Sequence, residues 1–177
     1  MTKAITLVAH PDDCVIFAYH FMNAHPEFEW EIVYMTYSLP DKRAEEMRAF
    51  WSKRNVPVTF LGFVDNPLDI ETGMCSIDDK DLASAVKPLL ADADLLLTHS
   101  SGGEYGHPHH IVVNTAVSHL SIPKVYFADG HQYNVEHTLP DAAYSLDELP
   151  EHRFVIEMFN DRHLARYTAT EEALKLL

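Results

Sequence analysis

Cysteine is scarce in this 177-residue chain: Cys14 and Cys75 are the only two, and no C-x-x-C spacing occurs. A disulfide framework is therefore not expected, which suits a reducing compartment. Positive charge is also in short supply. Thirteen Lys and Arg stand against 27 Asp and Glu, for a formal charge of −14. That balance repels phosphate backbones and argues against nucleic acid as an extended partner, while serving solubility. Long apolar runs are missing too. The N-terminal run Ala4 to Ala9 is too short for a signal segment and far too short to span a bilayer. A soluble, cytoplasmic protein is the expectation. No internal repeat, low-complexity tract or linker divides the chain. No G-x-G-x-x-G follows the first apolar run, and no phosphate-binding P-loop occurs, so a nucleotide-binding oxidoreductase is disfavoured.

What is present fits one domain over residues 1–177, with 47% hydrophobic residues to build a core. Ala4 to Ala9 reads as a buried parallel strand ended by His-Pro. A helix is expected from Asp12 or Asp13 to about Ala24, and a second strand over Trp30 to Thr36. Pro40 to Arg54 reads as a helix with Pro40 in its first turn. Val58 to Gly62 is a third strand, followed by a turn at Asp65-Asn66-Pro67. Capping residues between Ser76 and Asp81 precede a helix through Leu90. Asp94 to Thr98 and Lys124 to Phe127 are further strands, separated by a helix over His109 to Leu120. Gln132 to Pro150 reads as irregular, Phe154 to Phe159 as one more strand, and Asp161 to Leu177 as ending in a helix. Strands alternating with helices predict an α/β fold: a Rossmann-like three-layer sandwich on a mostly parallel sheet of about five or six strands.

Two short segments carry the chemistry. Ala9-His10-Pro11-Asp12-Asp13 follows strand one, and Gly103-Glu104-Tyr105-Gly106-His107-Pro108-His109-His110 follows strand four. In doubly wound order those strands are neighbours at the switch point, where ligands bind beyond the carboxyl ends. The two segments should therefore face each other across one crevice. His10, Asp13 and His110 are the expected metal ligands, since two imidazoles and a carboxylate with a position open for water make a hydrolytic zinc site. Asp12 is the candidate general base, because a metal lowers the pKa of bound water into the reach of a carboxylate. His107 is the candidate for protonating a leaving amine or steadying a tetrahedral oxyanion, and Tyr105 could donate to that oxyanion. Taken singly, His10 could be a polar cap, Asp12 and Asp13 helix N-caps, and Tyr105 a loop aromatic. Their paired occurrence at topologically matched places favours one site.

These residues resemble the PIG-L / LmbE-like family of zinc-dependent deacetylases of N-acetylglucosaminyl compounds. The family's AHPDD is present in full at Ala9 to Asp13. Its second block, usually G-x-Y-G-H-P-D-H, is present at Gly103 to His110 with one change. The resemblance implies a Rossmann-like fold, one Zn2+ on His10, Asp13 and His110, Asp12 as base, His107 as acid or electrostatic partner, and Tyr105 at the oxyanion. It further implies that Arg43, in Arg43-Ala44-Glu45-Glu46, and Asp65 contact the sugar. An exposed Arg43–Glu46 ion pair and a turn role for Asp65 are the alternatives. Two motif positions depart from the pattern: Cys14 replaces a common glutamate, and His109 replaces the aspartate between the two histidines. The expected reaction is removal of an acetyl group from an N-acetylated amino sugar or conjugate. A hydrolase of another N-acyl substrate, and a non-catalytic sugar or small-molecule binder retaining the metal cradle, stay open, as does self-association into a homo-oligomer.

Overall fold

The computed structural model describes residues 1–65, 75–127, 144–160 and 167–177. Six strands form one sheet: β1 (Lys3–Val8), β2 (Glu29–Thr36), β3 (Val58–Phe63), β4 (Leu95–Thr98), β5 (Lys124–Phe127) and β6 (Tyr167–Ala169). Their order is β3-β2-β1-β4-β5-β6. β1 to β5 run parallel, and β6 lies antiparallel on β5. The chain winds outward from β1 to β3, then returns to lay β4 on the other side of β1. The switch point thus falls between β1 and β4, as the sequence predicts, with Leu7 opposite Thr98.

The central strands are apolar on both faces because helices cover both. On one face, Ala4 and Val8 of β1 pack with α1 (Tyr19–Ala24), α2 (Lys42–Ser52), Ile156 of a helix described below, and the rings of Phe17, Phe21, Trp51 and Tyr167. On the other, Ile5, Leu7 and Ala9 meet Leu82 and Val86 of α3 (Asp79–Val86) and the Val113–Val117 side of a later helix. This alternation along one strand divides the core into two halves of a three-layer sandwich.

Local chemistry explains most boundaries. Asp41 caps α2 by accepting from Arg43 N, so the helix begins at Lys42 and Pro40 lies before it, not in its first turn. Asp78 caps α3 in the same way, and α3 stops at Val86, ahead of Pro88. After β4 come a short kinked turn, α4 (Gly103–Gly106), and α5 (Pro108–Ser118), with Pro108 in its first turn.

Three expectations need correction. The segment after the first motif opens as a π-helical turn, Cys14–Ala18, before α1, and Asp13 makes no side-chain cap there. Phe154 to Phe159 is helical: α6 spans Arg153–Asn160, with Ile156 buried while Phe154 stays 73% exposed. The C-terminal segment is led by β6, and its helix, α7, covers only Glu171–Leu174. Within the stretch expected to be irregular, Leu146–Glu148 forms a 3-10 turn with a Ser145–Glu148 capping box. The expectations for Asn66-Pro67, for residues 132–143 and for a helix over 161–166 lie outside the described residues.

Candidate metal centre

β1 and β4 both end in histidine-bearing loops, so the sheet itself brings the two motifs together. His10 leaves β1, and His99 leaves β4 directly beside it. Ala9 N donates to His99 Nε2 at 3.1 Å, and Thr98 Oγ1 donates to the Leu7 carbonyl at 2.9 Å. Asp13, buried at the start of the π-helical turn, folds back over the strand end. It accepts from His10 N at 2.7 Å and stands 3.2 Å from His10 Nδ1. Its other oxygen lies 3.3 Å from His110 Nε2, in the first turn of α5. Burial pushes the Asp13 carboxyl up, but His110 and His10 outweigh it and hold the group well below the usual carboxylate range. Asp13 therefore contacts both of the other expected ligands, one through each oxygen.

The loop between β4 and α5 is shaped for this contact. Gly103 has φ +62, and a Cβ there would come within 3.0 Å of Ile111 Cγ1 and 3.3 Å of His110 Cβ, so the loop can lie this close to α5 only with glycine. Glu104 follows at φ +59, a left-handed conformation costing roughly 1 kcal/mol or more for a residue with a side chain. Its carboxylate offsets that strain. Oε2 lies 2.8 Å from His99 Nδ1 and 2.6 Å from His110 Nδ1, and Oε1 accepts from Ser100 N at 2.8 Å. Burial raises the Glu104 carboxyl, but the two imidazoles overcome it and hold it at about 2.

That contact settles which nitrogen of His110 is free. With Nδ1 donating to Glu104, Nε2 presents a lone pair; it is fully buried, has no hydrogen-bond partner, and points towards a carboxylate oxygen. Two electron-rich atoms at 3.3 Å call for a positive charge between them. Burial works against charging His110, yet Asp13 raises its pKa nonetheless. A cation answers the same demand. For His99, burial is overcome by Glu104 and Asp13, which draw its pKa up to about 9. The Ala9 N–H aimed at Nε2 opposes protonation there, and we read His99 as the neutral Nδ1–H form because an Nε2 proton would collide with that donor.

Among the described residues, ligand atoms gather within 4.8 Å of one another in three groups: His10, His107 and His110; Asp13, His99 and His110; and His10, Asp65 and His109. A four-coordinate zinc with bonds of about 2.0–2.2 Å separates its donor atoms by about 3.3–3.5 Å. The 3.2 Å and 3.3 Å separations around Asp13 fit that spacing. They fall on different oxygens of Asp13, Oδ2 towards His10 and Oδ1 towards His110, and His10, Asp13 and His110 suit a divalent ion in donor type without forming one of the three groups.

Asp12 is buried beside this group and is bonded through Oδ1 by the Arg43 guanidinium. Burial and the neighbouring Asp13 raise its pKa, with Arg43 opposing. Arg43 also donates to Tyr37 Oη at 2.6 Å, and Tyr37 in turn donates to Asp65 at 2.7 Å. Glu46 does not pair with Arg43; it accepts from Glu151 N at 2.7 Å and holds His152 Nδ1 at 2.8 Å. His107 caps α5, its Nδ1 accepting from His109 N at 3.2 Å. Burial, with His110 and His10 nearby, lowers its pKa to about 3. Tyr105 is 51% exposed, with its ring 5.3 Å from His110 and 5.4 Å from Phe159. His109 turns away from simple support of His107: its Nδ1 lies 2.8 Å from His10 Nε2.

Sequence reasoning assigned no role to His99, Glu104, Tyr37 and His152. His99 had a readable signal, since it leaves a strand at the switch point just as His10 does. Glu104 had none, because its role depends on an uncommon backbone conformation.

Fold and site together define an α/β protein with a His/Asp cluster, able to hold a metal ion, at the switch point of its sheet. Residues 5–121 match the family described as PIG-L, GlcNAc-PI de-N-acetylase, and the chain belongs to that family. A search of the curated proteins gave no match. Solved structures share the fold at low identity. A deacetylase of the teicoplanin biosynthesis pathway is 17% identical over 91% of this chain and 85% of its own, with a TM-score of 0.55. N,N'-diacetylchitobiose deacetylase from Pyrococcus horikoshii is 16% identical over 98% and 85%, also at 0.55. A zinc-inhibited form of teicoplanin deacetylase is 15% identical over 91% and 85%, at 0.55.

Proposed function

We propose that residues 1–177 act as a single-domain, zinc-dependent N-deacetylase that hydrolyses the acetamide of an N-acetylated amino sugar or its conjugate. Family membership supports the reaction class. The observation that carries the reading is the buried His110 Nε2, bare and aimed at Asp13 beside His10. Two imidazoles and a carboxylate are a donor set that zinc favours over magnesium or calcium. The deacetylases of similar fold act on teicoplanin-pathway and diacetylchitobiose compounds, which motivates the sugar. Two unpaired cysteines fit a cytoplasmic setting, and among the described residues no helix is long and apolar enough to cross a membrane.

An ion held by His10, Asp13 and His110 would polarise the amide carbonyl and make water acidic enough to attack near neutral pH. Asp12 accepts the proton of that attacking water. Its raised pKa brings its basicity closer to the working pH. Arg43 engages Oδ1, so the transfer falls to Oδ2. As the C–N bond breaks, Asp12 returns the proton to the departing amine. His107 suits the oxyanion better than the acid role. Its Nδ1 is committed as an acceptor at the α5 cap, which leaves Nε2–H as a neutral donor. Tyr105, its pKa raised by burial and by Asp13, keeps its O–H and serves beside it. Asp65 and the exposed edge of Arg43 contact the sugar.

The test is Asp12→Asn. Metal content should stay at the wild-type level while acetate release from N-acetylglucosamine or diacetylchitobiose falls by about 10²–10⁴-fold. Full activity would remove Asp12 from the mechanism. A second reading, a sugar binder without turnover, draws on the His109 and Cys14 departures. Metal held without acetate release from any N-acyl compound would select it.

A further inference from the structure

His109 is the residue by which this chain departs from the family's second block, and its side chain completes a cluster on the outer side of His10. His10 Nε2 and His109 Nδ1 lie 2.8 Å apart, and Asp65 Oδ1 lies 3.6 Å from each. Those separations straddle the spacing of about 3.3–3.5 Å between ligand atoms on a four-coordinate ion. The three side chains come from three separate elements: the ends of β1 and β3 and the first turn of α5. The scaffold holds each of them. His109 is 2% exposed, and Asp65 is fixed by the Tyr37 hydroxyl, itself held by Arg43. His10 stands between two donor groups, with Nδ1 turned to Asp13 and Nε2 turned to His109 and Asp65.

We propose that His10, Asp65 and His109 form a second, outer site for a divalent ion of borderline softness, of the zinc and cobalt type, beside the inner one. Two nitrogens and one carboxylate oxygen disfavour magnesium and calcium, which prefer oxygen-only sets. The proposal rests on the inner-site reading through the shared ring of His10. The outer ion would take the place of the hydrogen held between His10 Nε2 and His109 Nδ1. The proton shared between His10 Nε2 and His109 Nδ1 is then released to solvent. The outer ion also claims Asp65, which the proposed mechanism assigns to the sugar. Filling the outer site therefore opposes substrate binding, and metal in excess acts as an inhibitor competitive with the sugar.

The experiment strips the full-length protein with a chelator and titrates it with Co2+. It follows the visible bands and proton release, then counts bound ions after gel filtration. Wild type should take up two ions per chain, the second more weakly and with release of a proton. His109→Gln and His109→Phe, two ways of removing the donor while filling the space, should each keep the first ion and lose the second. His119→Ala, which removes an exposed histidine at the opposite end of α5, should still take up two. One ion in wild type and in every variant overturns the outer site while leaving the inner reading intact. A second ion that persists in both His109 variants overturns it too. No ion in any of the proteins overturns both sites.

Discussion

Glu104 Oε2 and His110 Nδ1 are 2.6 Å apart, and this contact decides the direction in which His110 offers its other nitrogen. A carboxylate behind a ligating imidazole fixes its tautomer and raises its basicity, and losing such a partner typically costs 10–100-fold in metal affinity. Glu104→Gln keeps the shape and a carbonyl acceptor but removes the charge. We expect its zinc affinity, measured by competition with a chelator of known strength, to fall by about 10–100-fold while the circular dichroism spectrum is unchanged. An unaltered affinity would show that Glu104 acts on the loop alone.

The same residue sets an acid limit on stability. The Glu104 carboxyl sits at about 2 in the fold against an ordinary value of 4.5. A carboxyl with a depressed folded pKa contributes stability that is complete above its unfolded value and is lost as the pH falls through its folded value. The window here runs from pH about 4.5 down to about 2. The contribution is at most a few kcal/mol, at about 1.4 kcal/mol per pKa unit. Urea unfolding of the chelator-stripped protein at pH 7, 5 and 3 should show the wild type losing stability chiefly between 5 and 3. Glu104→Gln should be less stable at pH 7 and flatter across that interval. Parallel curves would contradict the assignment.

Arg43 reaches Asp12 across the loops that follow β1 and β2, and it favours the ionised form of that carboxylate. Replacing it with Met removes the favourable charge while burial and Asp13 still act, so the Asp12 pKa rises further. A base with a higher pKa becomes competent only at higher pH. The acid limb of kcat/KM for Arg43→Met should therefore move to higher pH than in wild type. Lys at the same place should move it less, since charge is kept but the planar fork is lost. A profile that drops in height without moving would confine Arg43 to sugar contact.

Much of this arrangement was open to a reader of the sequence, because the strongest patterns are local. Short apolar runs ended by His-Pro or Thr-His mark buried parallel strands, and parallel strands alternating with helices admit few topologies. The meeting of His10 with His110 follows from that winding. The parts that escaped depend on distant or unusual geometry. Phe154, Val155, Ile156, Met158 and Phe159 are so densely apolar that a period of two and a period of 3.6 cannot be told apart over so few residues. The helix is chosen by Ile156 docking on the core. β6 has three residues and exists because β5 offers it an edge. Glu104 reaches both His99 and His110 only from a left-handed backbone, which no pattern of residue types announces. The partnership of His109 with His10 joins residues that only the finished sheet brings together.

The last link runs from the antiparallel edge to the candidate metal centre. Tyr167 of β6, 1% exposed, donates its hydroxyl to the Phe17 carbonyl at 2.7 Å. Phe17 belongs to the π-helical turn that follows Asp13, where wider backbone spacing leaves carbonyls to be satisfied from outside. Its ring lies edge-on to His99 and His110, with centroids 6.1 Å and 5.9 Å away. Tyr167→Phe keeps the buried ring and strands the carbonyl, which costs about 1–3 kcal/mol for a buried acceptor. Tyr126→Phe, on the neighbouring strand and only half-buried, should change stability by less than about 0.5 kcal/mol. Denaturant unfolding of the two variants compares them directly. If Tyr167→Phe is as stable as Tyr126→Phe, the turn beneath the candidate metal ligands is held by ring packing, and the hydroxyl plays no part in holding it.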